Sequence, residues 1–489
     1  MPFKLVILWT DALIYVLFAV VLFSAWYIRQ REHLSAPWRK VGRSGYGMCS
    51  LVILMVFVVI GFLDSLHYRP RVEVAGGGKI SYAVEVRSVF DAIVDPLGKR
   101  PERTYSAPFA AYAFSKETVA LPDGTEVREF PRLKYGAAHL KNPERDLPTD
   151  VASRAIGALG LAAVLWILLT MAVAAWRARR SDGDFSGTLS SIIHGDTPVP
   201  WRAMLVTAGL LLAIAVPLTM LSSQYHVMGT DKVGQDVFFQ SLKSIRTGLI
   251  IGTLTTLVML PFALLLGIMA GYFRGWVDDV IQYVYTTLSS IPGVLLIASA
   301  VLIGQAWMDL HPQMFETVTQ RADVRLLFLC LILGITSWTG LCRLLRGEAL
   351  KLREMEYVQA ARAFGVSDRR IILQHLAPNV MHIILISVVM DFSGLVLAEA
   401  VLSYVGVGVD PSMISFGTMI NNARLELARD PAVWWSLASA FVLMFVLVLS
   451  ANLFSDAVRD AFDPRIRTGL SIFPAGRVLK LRRGAPPVG

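Results

Sequence analysis

Two carboxylates stand inside an apolar run at residues 380–405: Asp391 near its middle and Glu399 two turns further on. An acid at that depth is costly, so it faces a bundle interior or a wet path, or is held by hydrogen bonds. Either the pair touches a polar solute on its way across, or each acid is packed and fixes helix register. Both readings stand at the level of sequence. The residues that carry hydrolytic or redox chemistry are otherwise scattered. AGGGKI and PLGKRP fall short of G-x-x-x-x-G-K-[ST], because neither supplies the Ser or Thr that would ligand Mg²⁺. H-E-x-x-H, G-x-S-x-G and C-x-x-C do not occur. His375 and His382 lie seven apart on opposite sides of Pro378, and Cys49, Cys330 and Cys342 sit at or inside apolar segments with no metal-ligand spacing. The expectation is a chain without catalytic residues, metal site or bound cofactor, which draws any power it needs from a partner.

Composition places these residues in a membrane. Hydrophobic residues make up 55% of the 489 and charged residues 17%, against about 25% charged in soluble domains; mean hydropathy is +0.55. The net charge of +9 fits basic loops retained on the cytoplasmic side better than nucleic-acid binding, since no basic stripe with interleaved aromatics occurs. Nine apolar stretches are long enough to span a bilayer, near 6–28, 48–66, 154–176, 203–222, 248–271, 280–304, 325–345, 380–405 and 433–455. The predicted fold class is therefore an all-α polytopic membrane protein of about nine membrane helices with a small extracytoplasmic insert.

The Arg and Lys residues at 29–43, 177–180 and 459–483 fall on one side if residue 1 is extracytoplasmic and residue 489 cytoplasmic. Asp11 interrupts the first span, no small-x-small cleavage site follows it, and an uncleaved helix is expected. The chain then divides into two spans at 1–66, an extracytoplasmic insert at 67–152 and a third span at 153–180. A cytoplasmic linker at 181–202, a six-span part at 203–456 with its core at about 244–455, and a cytoplasmic tail at 457–489 complete it. Within the insert, RVEVAGGGKISYAVEV predicts a hairpin around Gly76–Gly78. The insert is either a docking or gating cap for an extracytoplasmic partner or a passive cover.

Polar residues 356–379, EYVQAARAFGVSDRRIILQHLAPN, lie between two spans on the predicted cytoplasmic side. Tyr357, Ala360, Ala361 and Phe364 recur at helical spacing and predict one apolar face. Gly365 suits a C′ residue with positive φ. Ser367 or Asp368 then caps a second short helix, which Pro378 is expected to end. On the opposite side, Gly229, Thr230, Asp231 and Asp236 predict a cap for a short surface helix near Asp231, at the mouth of a pathway or facing a partner. Pro292 is expected to kink the 280–304 span, beside the pathway or within ordinary packing.

Gln359-Ala360-Ala361, then Gly365, then Pro378 resembles the EAA loop of ABC importer permeases. The wider string is similar to the dipeptide/oligopeptide/nickel group of binding-protein-dependent permeases, and to its C-type subunit in particular. GTDKVGQDV (229–237), GYFRGWVDD (271–279), SSIPG (289–293), AEAVLSYVGVGV (398–409) and RDAFDPR (459–465) resemble that group's remaining blocks in order and spacing. The resemblance covers about 200–467 and leaves the three-span front part outside. Gln359 stands where the group has Glu, Leu376-Ala377 where it has I-L, and Gln235 where it has Arg. With Gln359 in that place, coupling is expected to rest more on shape and on Glu354 and Glu356.

The resemblance implies a type I importer transmembrane domain in a bacterial inner membrane that translocates di- or oligopeptides. It also implies a second permease subunit, two ATPase subunits that bind ATP and Mg²⁺, and a periplasmic or lipid-anchored substrate-binding protein. Tyr357, Gln359, Ala360, Ala361, Phe364, Gly365, Ser367 and Pro378 would form the ATPase-coupling loop. For a peptide cargo, its terminal ammonium would suit Asp391 or Glu399; Glu399 matches the group's block and Asp391 does not. Metal chelates or peptide-like antibiotics are alternative cargoes, and a membrane sensor built on 67–152 is the alternative from another class.

Overall fold

A chain immersed in lipid must pair its backbone polar groups within its own segments, which makes helices the default spanning element. The computed structural model describes residues 3–72, 81–120, 126–181, 184–315 and 317–462. Nine helices among the described residues are long and apolar enough to cross a membrane, as the nine apolar runs predict. Strand β1 (Phe3–Val6) leads into α1 (Trp9–Arg29), the short α2 (Glu32–Val41) and α3 (Gly45–Asp64). Strands β2 (His67–Val72), β3 (Ser81–Tyr82) and β4 (Arg87–Ser88) and helix α4 (Val89–Gly98) open the insert, and hairpin β5 (Glu117–Ala120) and β6 (Glu126–Glu129) follows. The chain continues through α5 (Pro143–Ser181), α6 (Phe185–His194), α7 (Trp201–Ser222), α8 (Val237–Phe273), α9 (Trp276–Ser290), α10 (Gly293–Leu310) and α11 (Val318–Arg353). Then come α12 (Glu356–Ala363), α13 (Asp368–Ile371), a π-helical turn (Ile372–Leu376), α14 (Ala377–Tyr404), α15 (Phe416–Glu426) and α16 (Trp435–Phe462).

Two faces emerge from these connections. At 37 and 36 residues, α8 and α11 are each roughly 54–56 Å long, well beyond a hydrocarbon core of about 30 Å. One end of each therefore reaches the insert, and the other reaches the loop at 356–379. β1 pairs with β2 in antiparallel register, Phe3 opposite Pro70 and Val6 opposite His67, so the segment before α1 shares the insert's face. β2 also pairs with β3, Arg71 opposite Tyr82 and Val72 opposite Ser81. These are the arms of the expected hairpin, whose Gly76–Gly78 turn lies outside the described residues. Of the tail, residues 463–489 also lie outside them.

The core forms where α8 and α11 touch almost backbone to backbone. A Cβ on Gly267 would meet the Cys342 carbonyl at 2.8 Å, and one on Gly271 would meet the Arg346 carbonyl at 2.7 Å. Two glycines one turn apart thus let the helices close, as small residues do in membrane bundles. Around this line Trp338, Leu341, Leu345, Ile371, Leu376 and Val380 are buried together. Cys330 and Cys342 are buried thiols and Cys49 is also free, which fits their reading as small hydrophobes.

Three local expectations need correction. The 280–304 run is two helices: α9 ends at Ser290, and Ile291 is extended (φ −87°, ψ 133°) because a residue before proline disfavours the α conformation. Pro292 is the N-cap of α10 and not a kink inside one span. Pro378 does not end a helix either. In the π turn before it, the Ala377 N–H reaches back five residues to the Ile372 carbonyl. The wider turn re-routes the hydrogen bonds where proline brings no N–H and crowds the preceding turn, and residues 368–404 form one continuous helical rod. Finally, no helix begins near Asp231; its carboxylate accepts from Val233 N and Gln235 N and closes a turn instead.

Buried charge fastens the front helices to α8. Arg246 Nη2 donates to Asp11 Oδ1 at 2.7 Å, and His67 Nδ1 lies 2.7 Å from Asp11 Oδ2. Thr10 donates from both backbone and hydroxyl to Asp323 on α11. Lys243 bridges Asp64 at 2.5 Å and Asp91 at 2.7 Å. Removing one partner of such a pair strands a charge, at roughly 3–5 kcal/mol, whereas replacing both by apolar groups is close to neutral. Arg246→Met is therefore expected to lower the melting temperature of the detergent-solubilised protein sharply, and adding Asp11→Leu to recover much of it. Equal melting temperatures for wild type and Arg246→Met would show that this pair does not hold the helices together.

Candidate functional site

The loop between α11 and α14 is built to present one edge outward. Met355 starts α12, and Val358 (1% exposed) buries against the α8–α11 core while Ala361 packs half-buried beside it. The predicted single apolar face therefore divides. Ala361 belongs to the protein's own core, whereas Tyr357, Ala360 and Phe364 point away, with Phe364 86% exposed. Gly365 takes φ +73° and reverses the chain, as its spacing predicts; nothing lies within 4 Å of where a Cβ would be. Ser367 occupies the N-cap position of α13 but makes no side-chain capping hydrogen bond.

Hydrogen bonds strap this hinge to the span ends. Tyr272 Oη donates to Asp368 Oδ1 at 2.5 Å, and Arg353 Nη1 donates to the Tyr272 carbonyl at 2.8 Å. Asn379 Nδ2 donates to the Tyr357 hydroxyl at 3.1 Å and to the His375 carbonyl at 2.6 Å. Gln359 Nε2 donates to the Glu354 carbonyl at 3.2 Å, and Glu354 pairs with Arg274 at 2.8 Å. A Glu at 359 has no N–H to give, so the amide suits this contact. Arg346 clamps Asp278 of α9 with two hydrogen bonds of 2.6 and 2.7 Å. The arrangement leaves Phe364 on the outer edge of a hinge that is strapped to the rod at 368–404.

On the opposite face, the expected mouth residues form a seam beneath the insert. Thr230 (0% exposed) donates to the Thr104 carbonyl at 2.9 Å and accepts from Ser106 N at 2.7 Å, and Trp435 Nε1 donates to its carbonyl. Gly229 (φ +68°) sits where a Cβ would lie 2.5 Å from the Ser106 carbonyl. Asp236 is buried and caps α8, accepting from Phe238 N and Phe239 N. Asp231 remains partly exposed. Gly229, Thr230 and Asp236 thus shape a joint between insert and membrane helices, because residues 102–106 lie across them.

A carboxylate–imidazole–carboxylate chain, which sequence reasoning missed, locks the joint. His226 Nδ1 lies 2.8 Å from Asp236 and its Nε2 3.3 Å from Glu102. Glu102 also accepts from the backbone N–H groups of Lys134, Tyr135 and Gly136. Burial opposes a charge on His226, but hydrogen bonds to Asp236 and Glu102 outweigh it and raise its pKa to about 9. Burial likewise opposes the Glu102 anion, but His226 and the three N–H donors bring it down to about 2.

Of the two membrane carboxylates, Glu399 (1% exposed) is enclosed, accepting from Ser403 Oγ at 2.7 Å and Ser415 Oγ at 2.8 Å. It ties the end of α14 to the N-cap of α15, the packed alternative. Asp391 is half-buried and makes no hydrogen bond or ion pair among the described residues. Pro292 is exposed at the head of α10. The structure does not bring Asp391, Glu399 and Pro292 together with the coupling loop.

The His226 lock has a defined pH window. Its folded pKa lies above the ordinary value near 6.5, so its contribution is complete below about 6.5 and lost as pH rises through about 9. Glu102 contributes above about 4.3 and loses that only as pH falls through about 2. Raising the pH from 6.5 to 9.5 is expected to loosen the seam by on the order of 3 kcal/mol. Hydrogen exchange of residues 102–140, corrected for intrinsic rate, reads this; protection that does not change would remove His226 from the seam's energetics.

Residues 263–468 match the family described as binding-protein-dependent transport system inner membrane component. The chain is 34% identical over 243 residues to an oligopeptide transport system permease protein of Mycobacterium tuberculosis, spanning 50% of this chain and 77% of that protein. It is 32% identical over 248 residues to a glutathione transport system permease protein of Pectobacterium atrosepticum, spanning 50% and 75%. A dipeptide transport system permease protein of Alkalihalophilus pseudofirmus is 30% identical over 280 residues, spanning 54% and 85%. A solved chain of the MetNI methionine ABC transporter aligns with TM-score 0.33 and 17% identity over 46% of this chain and 96% of that one, too loosely to bear on the fold. The front helices and the insert precede the family match, which includes the loop at 356–379, the rod and α16. With nine apolar helices and relatives of this kind, the chain is a multi-pass membrane protein that belongs to the family of binding-protein-dependent transport system inner membrane components.

Proposed function

We propose that this chain is the C-type permease subunit of an ATP-driven importer of di- or oligopeptides, powered through the loop at 356–378. The observation that carries the reading is the exposed Phe364 beside a glycine hinge, leading into a helical rod of 37 residues that crosses the membrane. A side chain that large is left in water at a cost unless a partner covers it, and Tyr357 and Ala360 lie on the same edge. The relatives named as oligopeptide, glutathione and dipeptide permeases support peptides as the cargo class.

The partners are then two ATPase subunits, which hold ATP and Mg²⁺, a second permease subunit forming a heterodimer, and an extracytoplasmic substrate-binding protein. The coupling face is cytoplasmic and the insert extracytoplasmic, in keeping with Arg177, Arg179, Arg180 and Arg459 on the coupling side. Closure of the ATPases around ATP displaces Phe364. Because Asp368–Tyr404 is one rod, that displacement tilts α14 and, through the Gly267–Gly271 line and the Tyr272–Asp368 strap, α8 and α11 with it. The pathway alternates between outward and inward access. Asp391, without a partner among the described residues, faces either the cargo or the second subunit; Glu399 holds the outer end of the rod in register.

Phe364→Asp tests the socket, because its side chain supports nothing inside this chain. It is expected to leave expression and melting temperature unchanged and to cut co-purification of the ATPases and peptide uptake by about tenfold or more. Gly365→Val tests the hinge: with open space around the site, any effect comes from forcing positive φ on a β-branched residue. It is expected to leave the α8–α11 core folded and to uncouple ATP hydrolysis from uptake. Wild-type uptake by both variants would remove the coupling role of this loop, and co-purification with a kinase in place of ATPases would sink the transport reading.

A further inference from the structure

The insert and α15 enclose a pocket that the coupling mechanism leaves without a use. It has a volume of about 200 Å³ on the insert face and is lined by Tyr105, Lys232, Asn421, Asn422, Arg424 and Arg429, with Glu426 at its floor. Among the described residues, none of the three cations has a carboxylate within 4 Å; the ion pairs of this face lie elsewhere. Aromatic rings position two of them. Arg429 lies over the Tyr105 ring at 5.0 Å and Arg424 over the Tyr404 ring at 5.0 Å. A guanidinium stacked on a ring face keeps its in-plane N–H donors for an anion.

Glu426 does not neutralise the site. Tyr105 Oη donates to its Oε1 at 3.2 Å, while its Oε2 is buried with no hydrogen-bond partner. Burial raises its pKa; the nearby Asp231 adds to that and Tyr105, Lys232 and Arg429 oppose it. Even ionised, Glu426 is one carboxylate among Lys232, Arg424 and Arg429, and the balance of the pocket's lining is cationic. Asn421 and Asn422 add amide donors and acceptors of the kind a peptide backbone uses. The volume is below the roughly 300–1,000 Å³ that enclose a whole drug-sized ligand, so the pocket takes the end of a chain and not its body.

We propose that this pocket is a subsite for the free C-terminal carboxylate of a peptide, held by Lys232, Arg424 and Arg429 and completed by Tyr105 of the insert. The assignment rests on the peptide-importer reading. It gives the insert, which precedes the family match, a part in choosing cargo: its tyrosine orients Arg429 beside an α15 that lies within that match.

The test is calorimetric titration of the purified complex in nanodiscs, without ATP and at low ionic strength, with trialanine and with trialanine C-terminal amide. The free acid is expected to bind about tenfold or more tightly than the amide, the loss expected on removing a charge-assisted hydrogen bond. Arg424→Gln combined with Arg429→Gln is expected to bring the acid down to the amide's affinity and to leave the amide unchanged. Both positions are exposed, and an unchanged melting temperature verifies folding. Equal affinity of acid and amide for the wild-type complex overturns the proposal with no variant needed, as does failure of the acid to bind. A double variant that binds the acid normally but binds the substrate-binding protein weakly also overturns it, in favour of a protein-docking socket. ATP-driven uptake of both peptides, measured in parallel, separates the two readings. Uptake without an acid–amide difference in binding removes only the subsite, and no uptake of either peptide removes the importer reading.

Discussion

An unbroken helical hydrogen-bond ladder from Asp368 to Tyr404 is what the rest of this structure depends on. A proline near one end of that ladder would ordinarily stop it, since proline has no N–H to donate and crowds the carbonyl four residues back. Here the turn before Pro378 widens to π geometry and the ladder continues. Were the helix to end there, the loop and the span would be separate bodies joined at the membrane surface. With the ladder intact, residues 368–379 of the loop and the span are one body. Glu399, closed in by Ser403 and Ser415, pins the far end of that body to α15.

The front helices answer a different constraint. Lipid offers little hydrophobic drive for one helix to choose another, so specific attachment relies on close packing and polar contacts. Asp11, Arg246, His67, Thr10 and Asp323 form such a set near the insert face, and Lys243 with Asp64 and Asp91 forms a second. His226 between Glu102 and Asp236 forms a third, above the membrane helices. Each set joins the front module or the insert to the ends of α8 or α11. The extra module is therefore fastened to the membrane helices by buried polar contacts and not merely laid beside them.

Much of this was legible in the sequence, for reasons tied to particular residues. The nine spans follow from apolar runs that only a bilayer explains, and the hinge at Gly365 from a spacing that only positive φ satisfies. What local pattern does not carry is the direction a side chain takes once a neighbouring helix is present. Ala361 and Phe364 sit in one predicted stripe, yet the core claims the first and leaves the second in solvent. Gly229, Thr230 and Asp236 read as surface residues because the segment that covers them, 102–106, comes more than a hundred residues earlier. Asp11 carried the available signal, a lone anion set in an apolar run, which announces a buried partner elsewhere in the fold.

The small ladder between β1 and β2 bears on how the chain enters the membrane. Phe3–Val6 and His67–Val72 flank the α1–α3 hairpin, and they pair only if both ends of that hairpin arrive on the same face. A hairpin threaded halfway would leave two strand edges unpaired on opposite sides of the bilayer, and Asp11 would be separated from both Arg246 and His67. Correct threading of the hairpin thus also brings His67 to Asp11. Residues as far apart in sequence as Phe3 and Pro70 thus report on one another's side of the bilayer, because the ladder closes only on a fully threaded hairpin.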